Sequence, residues 1–140
     1  MTMHRRPLGR GRRLAAFAAL IIVVGCFLPW WQFGGDAGLP LRSGNAFEGA
    51  GILVFFAALA TIALVTLPYA TDRPVPVDRG LSYVAIVAIG WIGFVLRAFD
   101  LFQVGALGLP TTSPGLWLSA LGLGVLTRAA YEIVGERRDR

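Results

Sequence analysis

Four stretches of the chain are apolar for about twenty residues at a time, long enough as helices to cross the roughly 30 Å hydrocarbon layer of a membrane. They run from about Leu14 to Trp31, about Ala46 to Tyr69, Leu81 to about Leu101, and Pro114 to about Val134. Polar positions gather between them. One group is a Gly- and Pro-rich connection after Trp30-Trp31; another is a turn holding Pro74, Pro76 and the charges Asp72, Arg73, Asp78 and Arg79. The pattern predicts an all-α membrane protein with four transmembrane helices. A basic tail covers residues 1–13, the membrane domain 14–134 and a charged tail 135–140.

Local signals mark the helix starts. Asn45 with Glu48 three residues on is a capping pattern for the second span. Ser113-Pro114 supplies an N-cap and a proline at the first helical position of the fourth. Asp78 is the cap expected for the third, and Pro68 the expected end of the second.

Composition supports the span pattern. Hydrophobic residues make up 56% of the 140 and charged residues 15%, against a usual ~25% charged. A soluble domain of this length has no core able to enclose four such helices. Every one of the thirteen basic residues is arginine, which together with abundant Ala, Gly, Leu and Val suggests a high-GC bacterial genome and the bacterial cytoplasmic membrane. The net charge of +5 could suggest nucleic acid, but the arginines sit at span ends, so the lipid bilayer is the expected partner instead.

Arginine bias sets the orientation. With the N-terminus inside, Arg5, Arg6, Arg10, Arg12, Arg13, Arg73, Arg79, Arg128, Arg137, Arg138 and Arg140 fall on the cytoplasmic side. Only Arg42 and Arg97 fall outside. Both termini are therefore expected to be cytoplasmic. Tryptophan and tyrosine prefer the headgroup level, and they agree with this topology. Trp30, Trp31 and Trp117 are the expected outer anchors, Tyr69, Tyr83 and Tyr131 the inner ones, and Trp91 lies mid-span.

The chain also resembles itself at an offset of seventy residues. Gly38-Leu39-Pro40 returns as Gly108-Leu109-Pro110, Ser43 as Ser113 and Ala50 as Ala120, while Phe47 matches Trp117. Two duplicated helical hairpins related by an axis along the membrane normal would produce this, as in parallel-repeat transporters. Capping serines and Gly-Leu-Pro turns arising twice by chance would produce it too.

Candidate chemistry is sparse. Arg97 and Asp100 lie three apart on one face of the third span, and Glu48 of the antiparallel second span lies at similar depth. Ionisable groups at membrane depth are often functional, so these residues form the candidate polar cluster; the plainer reading is a cap, a snorkelling arginine and a lock between spans. Gly90 and Gly93 on the Arg97 face, and Ala120 and Gly124 on the Arg128 face, are the expected helix-packing positions. Arg128 can pair with Glu132.

Val23-Val24-Gly25-Cys26 reads either as a lipoprotein signal or as part of an uninterrupted span. The apolar continuation Phe27-Leu28-Pro29-Trp30 favours an inert buried thiol. Cys26 is the single cysteine and His4, in the tail, the single histidine. No nucleophile–base pairing or metal-ligand spacing emerges, so no enzyme activity, cofactor or metal is expected.

Leu28-Pro29-Trp30-Trp31 before a Ser-Gly loop, and Pro114-Gly115-Leu116-Trp117-Leu118 opening the last span, resemble a group of small four-span membrane proteins of high-GC bacteria. That resemblance implies no activity. The leading expectation is a non-enzymatic accessory or structural subunit that packs against another membrane protein or against itself. The alternatives are a small-solute or ion transporter using Glu48, Arg97 and Asp100, and an outer-face sensor using the two similar loops.

Overall fold

A computed structural model describes residues 8–72 and 78–139. His4, Arg5, Arg6, Arg73, Pro74, Pro76 and Arg140, which carry part of the expected tails and middle turn, lie outside the described residues. The described chain folds as helix α1 (Arg10–Phe27), strands β1 (Trp31–Phe33) and β2 (Arg42–Gly44), a 3-10 turn (Gly49–Gly51), and helices α2 (Ile52–Ala70), α3 (Arg79–Gln103) and α4 (Pro114–Arg138).

Several boundaries differ from the apolar runs, each for a local reason. Helix α1 stops at Phe27 rather than Trp31, because Pro29 disfavours helical backbone at the residue before it. Leu28 is accordingly extended, at φ −78 and ψ 157. The capping box expected at Asn45 and Glu48 does not form. Asn45 Oδ1 accepts from Phe47 N at 3.1 Å, closing an Asx turn, and Glu48 makes no cap hydrogen bond. Pro68 sits inside α2, which continues to Ala70. So near the end of a helix, one missing N–H interrupts little.

Asp78 does cap α3, accepting from Leu81 N at 3.3 Å. Backbone hydrogen bond and the Arg137 guanidinium together hold its carboxyl below the usual aspartate range. Ser113 occupies the N-cap position of α4, followed by Pro114, but its hydroxyl makes no cap bond.

The helices pack antiparallel in sequence order, with α1 also against α4 in the most extensive of the helix contacts. Small residues make this approach close. A Cβ on Gly25 would lie 2.9 Å from Ser119 N and 3.1 Å from Gly115 O. One on Gly122 would lie 2.6 Å from Ile22 Cγ1. Between α2 and α3, a Cβ on Gly93 would lie 3.0 Å from Ala50 O, while Gly90 faces Leu123 of α4 and Ala57 of α2.

Many small residues are buried, while many large apolar ones are exposed. The interior holds Ala15, Ala18, Ala19, Ala57, Ala58, Ala129 and Ala130, whereas Phe17, Leu20, Phe56, Leu81, Ile92 and Leu121 are exposed. Two helical segments, Gly49–Ala70 and Arg79–Gln103, are long and apolar enough to cross a membrane.

The connection after α1 is a β-hairpin, which the apolar pattern did not predict. Strands β1 and β2 pair antiparallel with Trp31 opposite Gly44, Gln32 opposite Ser43 and Phe33 opposite Arg42. The connection that should mirror it, 104–113, contains no strand among the described residues. The two loops share sequence but not backbone.

Candidate functional site

Three elements converge on one carboxylate at the hairpin end of the bundle. The β-hairpin supplies Trp31, the entrance to α2 supplies Glu48 and α3 supplies Arg97. Glu48 Oε2 accepts from Trp31 Nε1 at 3.0 Å and from Arg97 Nη2 at 3.3 Å. Glu48 is held in position from its neighbour: Phe47 packs on Phe55 and Phe27 with ring centroids 4.9 and 5.2 Å apart.

Two glycines leave room for the convergence. Gly44 stands opposite Trp31 in the strand register, and a Cβ there would lie 2.6 Å from Glu48 Oε1. Gly49 has φ +63, which L side chains rarely adopt, and a Cβ there would lie 3.3 Å from Arg97 Nη1.

Burial is asymmetric across the pair. The Arg97 side chain is 13% exposed and that of Glu48 49%. Arg97 Nε is buried without a hydrogen-bond partner. Since Glu48 remains half in contact with the surroundings, the ion pair is worth about 1 kcal/mol or less in water. Its chief effect is positional. One oxygen ties the hairpin, the start of α2 and the far end of α3 together. Nothing in the arrangement activates a nucleophile or gathers metal ligands, and no group of three potential metal ligands occurs among the described residues.

Asp100, the third member of the expected cluster, is not part of this site. It is exposed on α3 and forms no ion pair with any described residue. Three residues along a helix share a face only approximately, and here Arg97 turns towards Glu48 while Asp100 faces out. Sequence reading placed Glu48 and Arg97 at one level but missed Trp31 as the second donor. The strand pairing that brings Trp31 over Glu48 carried no local signal.

The expected anchors divide by direction around the helix, which position along it does not encode. Trp30 is fully buried, with its indole 5.9 Å from Phe94 and its Nε1 donating to Gly25 O at 3.0 Å. It is a core residue, not an outer anchor. Trp117 is exposed and donates to Gly108 O at 2.9 Å. Tyr69 and Tyr131 are exposed, but Tyr83 is 1% exposed and so no lipid-facing anchor. Mid-helix Trp91 finds a partner in Thr127 Oγ1 at 2.9 Å.

The packing positions need a similar correction. Gly90 and Gly93 lie at helix contacts, but a Cβ on Gly124 would meet nothing within 4 Å. Neither Ala120 nor Gly124 is buried, and Arg128 pairs with Glu132 at 3.3 Å on the same outward side. Among the described residues no helix covers Gly124. The inward stripe of α4 is Gly115, Ser119, Gly122, Leu126 and Ala129, all buried. Cys26 is likewise buried, at the end of α1.

No family model, curated protein or solved structure matches the chain.

Proposed function

We propose that this chain is a four-span integral membrane protein of the bacterial cytoplasmic membrane, with both termini inside, acting without catalysis as an accessory or structural subunit. The observation that carries this reading is the apolar exterior of the bundle. Alanine and glycine line the close helix contacts, beside larger buried residues such as Trp30, Tyr83, Ile22, Leu123 and Leu126, while Phe17, Leu20, Phe56, Ile92 and Leu121 are exposed. In water such a surface would exceed by far the apolar patches that soluble monomers tolerate. In lipid it costs nothing, and small residues are what let membrane helices pack closely.

Helices α1 and α4 join the two more apolar helices in this reading because each is packed antiparallel against its neighbours over its length. The arginine-rich helix ends and the hairpin lie at opposite ends of the bundle, which supports cytoplasmic termini under the positive-inside rule. The seventy-residue repeat fits the same scheme as a duplicated helical hairpin, with the first outer loop since rebuilt as a β-hairpin. The role as a subunit rests on how the polar groups are used: Trp31 and Arg97 both donate to Glu48, which ties elements together.

Labelling decides the topology. In a Cys26→Ser background, a membrane-impermeant maleimide applied to intact cells is expected to label Ser43→Cys and to spare Glu136→Cys; the reverse pattern sinks the proposed orientation. Recovery of the chain in the soluble fraction after alkaline extraction sinks the membrane reading. Purification in a mild detergent followed by mass spectrometry tests the subunit role. Reproducible recovery of the chain alone, as a monomer, removes it.

A further inference from the structure

The connection between α3 and α4, 104–113, is built unlike a water-facing loop. It lies at the hairpin end of the bundle, where Gly115 N at the start of α4 donates to Pro29 O at 2.9 Å. Val104-Gly105-Ala106-Leu107-Gly108-Leu109-Pro110-Thr111-Thr112-Ser113 includes no charged residue, whereas the connection after α1 carries Asp36, Arg42 and Glu48. Val104, Leu107 and Leu109 are exposed, Leu109 at 72%, while the small residues Ala106 and Ser113 are buried. Water disfavours that arrangement, since exposed apolar surface is unfavourable there.

The apolar surface is continuous across the helix ends. Phe99 and Phe102 in the last turns of α3 are exposed, as are Trp117 and Leu121 in the first turns of α4. The loop therefore extends the belt of large apolar side chains that covers the helices.

Much of the loop backbone is satisfied from within. Gly105, at φ +70, ends α3 in a Schellman motif: Gly105 N donates to Phe102 O at 3.1 Å and Ala106 N to Leu101 O at 2.8 Å. At the other end Leu109 O accepts from Thr112 N, Ser113 N and Thr112 Oγ1 at 3.0, 2.9 and 3.1 Å. Gly108 O accepts from the Trp117 indole at 2.9 Å, and Pro110 has no N–H to satisfy. Closing backbone groups on one another is what a surrounding poor in water demands.

These observations select what covers the loop. A protein partner would meet few free hydrogen-bonding groups here, against the roughly one hydrogen bond per 100–200 Å² that protein interfaces make. Full immersion in hydrocarbon is disfavoured too, because irregular backbone does not face the acyl chains and Asp100, exposed on α3 just before the loop, favours hydration. The boundary between headgroups and acyl chains meets both conditions, and tryptophans such as Trp117 prefer it.

We propose that the 104–113 loop lies on the outer surface of the bilayer, with Val104, Leu107 and Leu109 in the boundary between headgroups and acyl chains, so that lipid covers it. This rests on the membrane reading above. It makes the two outer connections unlike in role: the hairpin stands in water and the second loop holds to the membrane.

The test uses the full chain in vesicles of phosphatidylcholine with phosphatidylglycerol. Nitroxide labels are placed, in a Cys26→Ser background, at Val104→Cys, Leu107→Cys, Leu109→Cys, at Ser43→Cys in the hairpin, and at Ile92→Cys on the exposed middle of α3. Collisions with oxygen, which enters lipid, are compared with collisions with a water-soluble nickel chelate present on both sides of the bilayer. The oxygen-to-nickel ratio at each loop site should exceed that at Ser43→Cys by about threefold or more, because the polar chelate is excluded from the boundary. Ile92→Cys should give the highest ratio.

Ratios at two or more of the loop sites no higher than at Ser43→Cys, with Ile92→Cys favouring oxygen, place the loop in water and overturn the proposal while leaving the membrane reading intact. Loop sites shielded from both reagents show cover by protein, a second copy or a partner, and overturn it equally. A chain that does not enter the vesicles, or an Ile92→Cys label that favours nickel, defeats the membrane reading and the proposal with it. Three loop sites keep the result readable where one label disturbs its own position.

Discussion

Replacing single glycines by alanine should have opposite effects at two places in the bundle. A methyl group on Gly25 would lie 2.9 Å from Ser119 N and 3.1 Å from Gly115 O. Both neighbours are backbone atoms of α4, so neither can swing away. Restoring ordinary contact requires α1 and α4 to separate by roughly 0.5 Å at their closest point, enough to forfeit about a quarter of each dispersion well along the seam. Overpacking of this kind costs about 1–3 kcal/mol, offset in part by the better helix propensity of alanine. A methyl group on Gly124 would meet nothing within 4 Å, so there the propensity gain of about 1 kcal/mol stands alone.

The assay follows from Cys26, the single cysteine, which is fully buried. A dye that fluoresces on reaction with thiols reports its exposure as the detergent-solubilised protein is heated. Gly25→Ala should lower the midpoint by about 3–10 °C and Gly124→Ala should leave it unchanged or raise it by up to about 5 °C, taking roughly 3–5 °C per kcal/mol for a chain of this size. Gly122→Ala should also lower the midpoint, because a methyl there would lie 2.6 Å from Ile22 Cγ1 and 3.2 Å from Ile22 N. Equal shifts in the same direction for Gly25→Ala and Gly124→Ala would refute the seam between α1 and α4.

Other substitutions probe the two ends of the bundle. Glu48→Gln removes the charge that Arg97 and Trp31 share; global stability should fall by about 1 kcal/mol or less, while amide exchange over Trp31–Gly44 should quicken. Asp100→Asn, outside that cluster, should change neither measurement. Trp30→Phe deletes a buried hydrogen bond to Gly25 O and should cost about 1–3 kcal/mol in thermal or denaturant melts.

Asp78 provides a pH signature. Its folded carboxyl titrates below the usual value, so its contribution is present above the unfolded value of about 4 and is lost as pH falls through the lower folded value. The stability gap between the native chain and Asp78→Asn should therefore be constant near neutrality and close on acidification below about pH 4. A gap that persists at the acid end would refute the sign.

The helices were legible because the length of an apolar run is a one-dimensional quantity, and the four runs correspond to α1 through α4 with boundary shifts traceable to Pro29 and the Asn45 turn. Direction around each helix was harder to read. Trp30 and Tyr83 occur where the headgroup rule wants aromatics, yet both turn inward, and the rule has no term for angle. On α4, spacing back from Arg128 selected Ala120 and Gly124, whereas the buried stripe runs one register over through Gly115, Ser119 and Gly122.

A better signal was present in α1. Gly11, Ala15, Ala18, Ile22 and Gly25 recur at helical spacing and are all buried, and a matching small-residue stripe on α4 was the cue to pair them. The hairpin had no such cue. Three-residue strands joined through a Gly-rich segment look like any polar loop until Trp31 is set opposite Gly44, so the second donor to Glu48 stayed hidden.

Trp30 has a mechanical consequence. Its backbone N–H donates to Gly44 O at 2.7 Å, its indole to Gly25 O at 3.0 Å, and the carbonyl of Pro29 beside it accepts from Gly115 N at 2.9 Å. The base of the hairpin is thereby fastened to the end of one helix and the beginning of another. A load applied to the hairpin tip is delivered to the α1–α4 seam, with the tryptophan as its fulcrum, and whatever grips that tip from outside takes hold of the packing of the bundle itself.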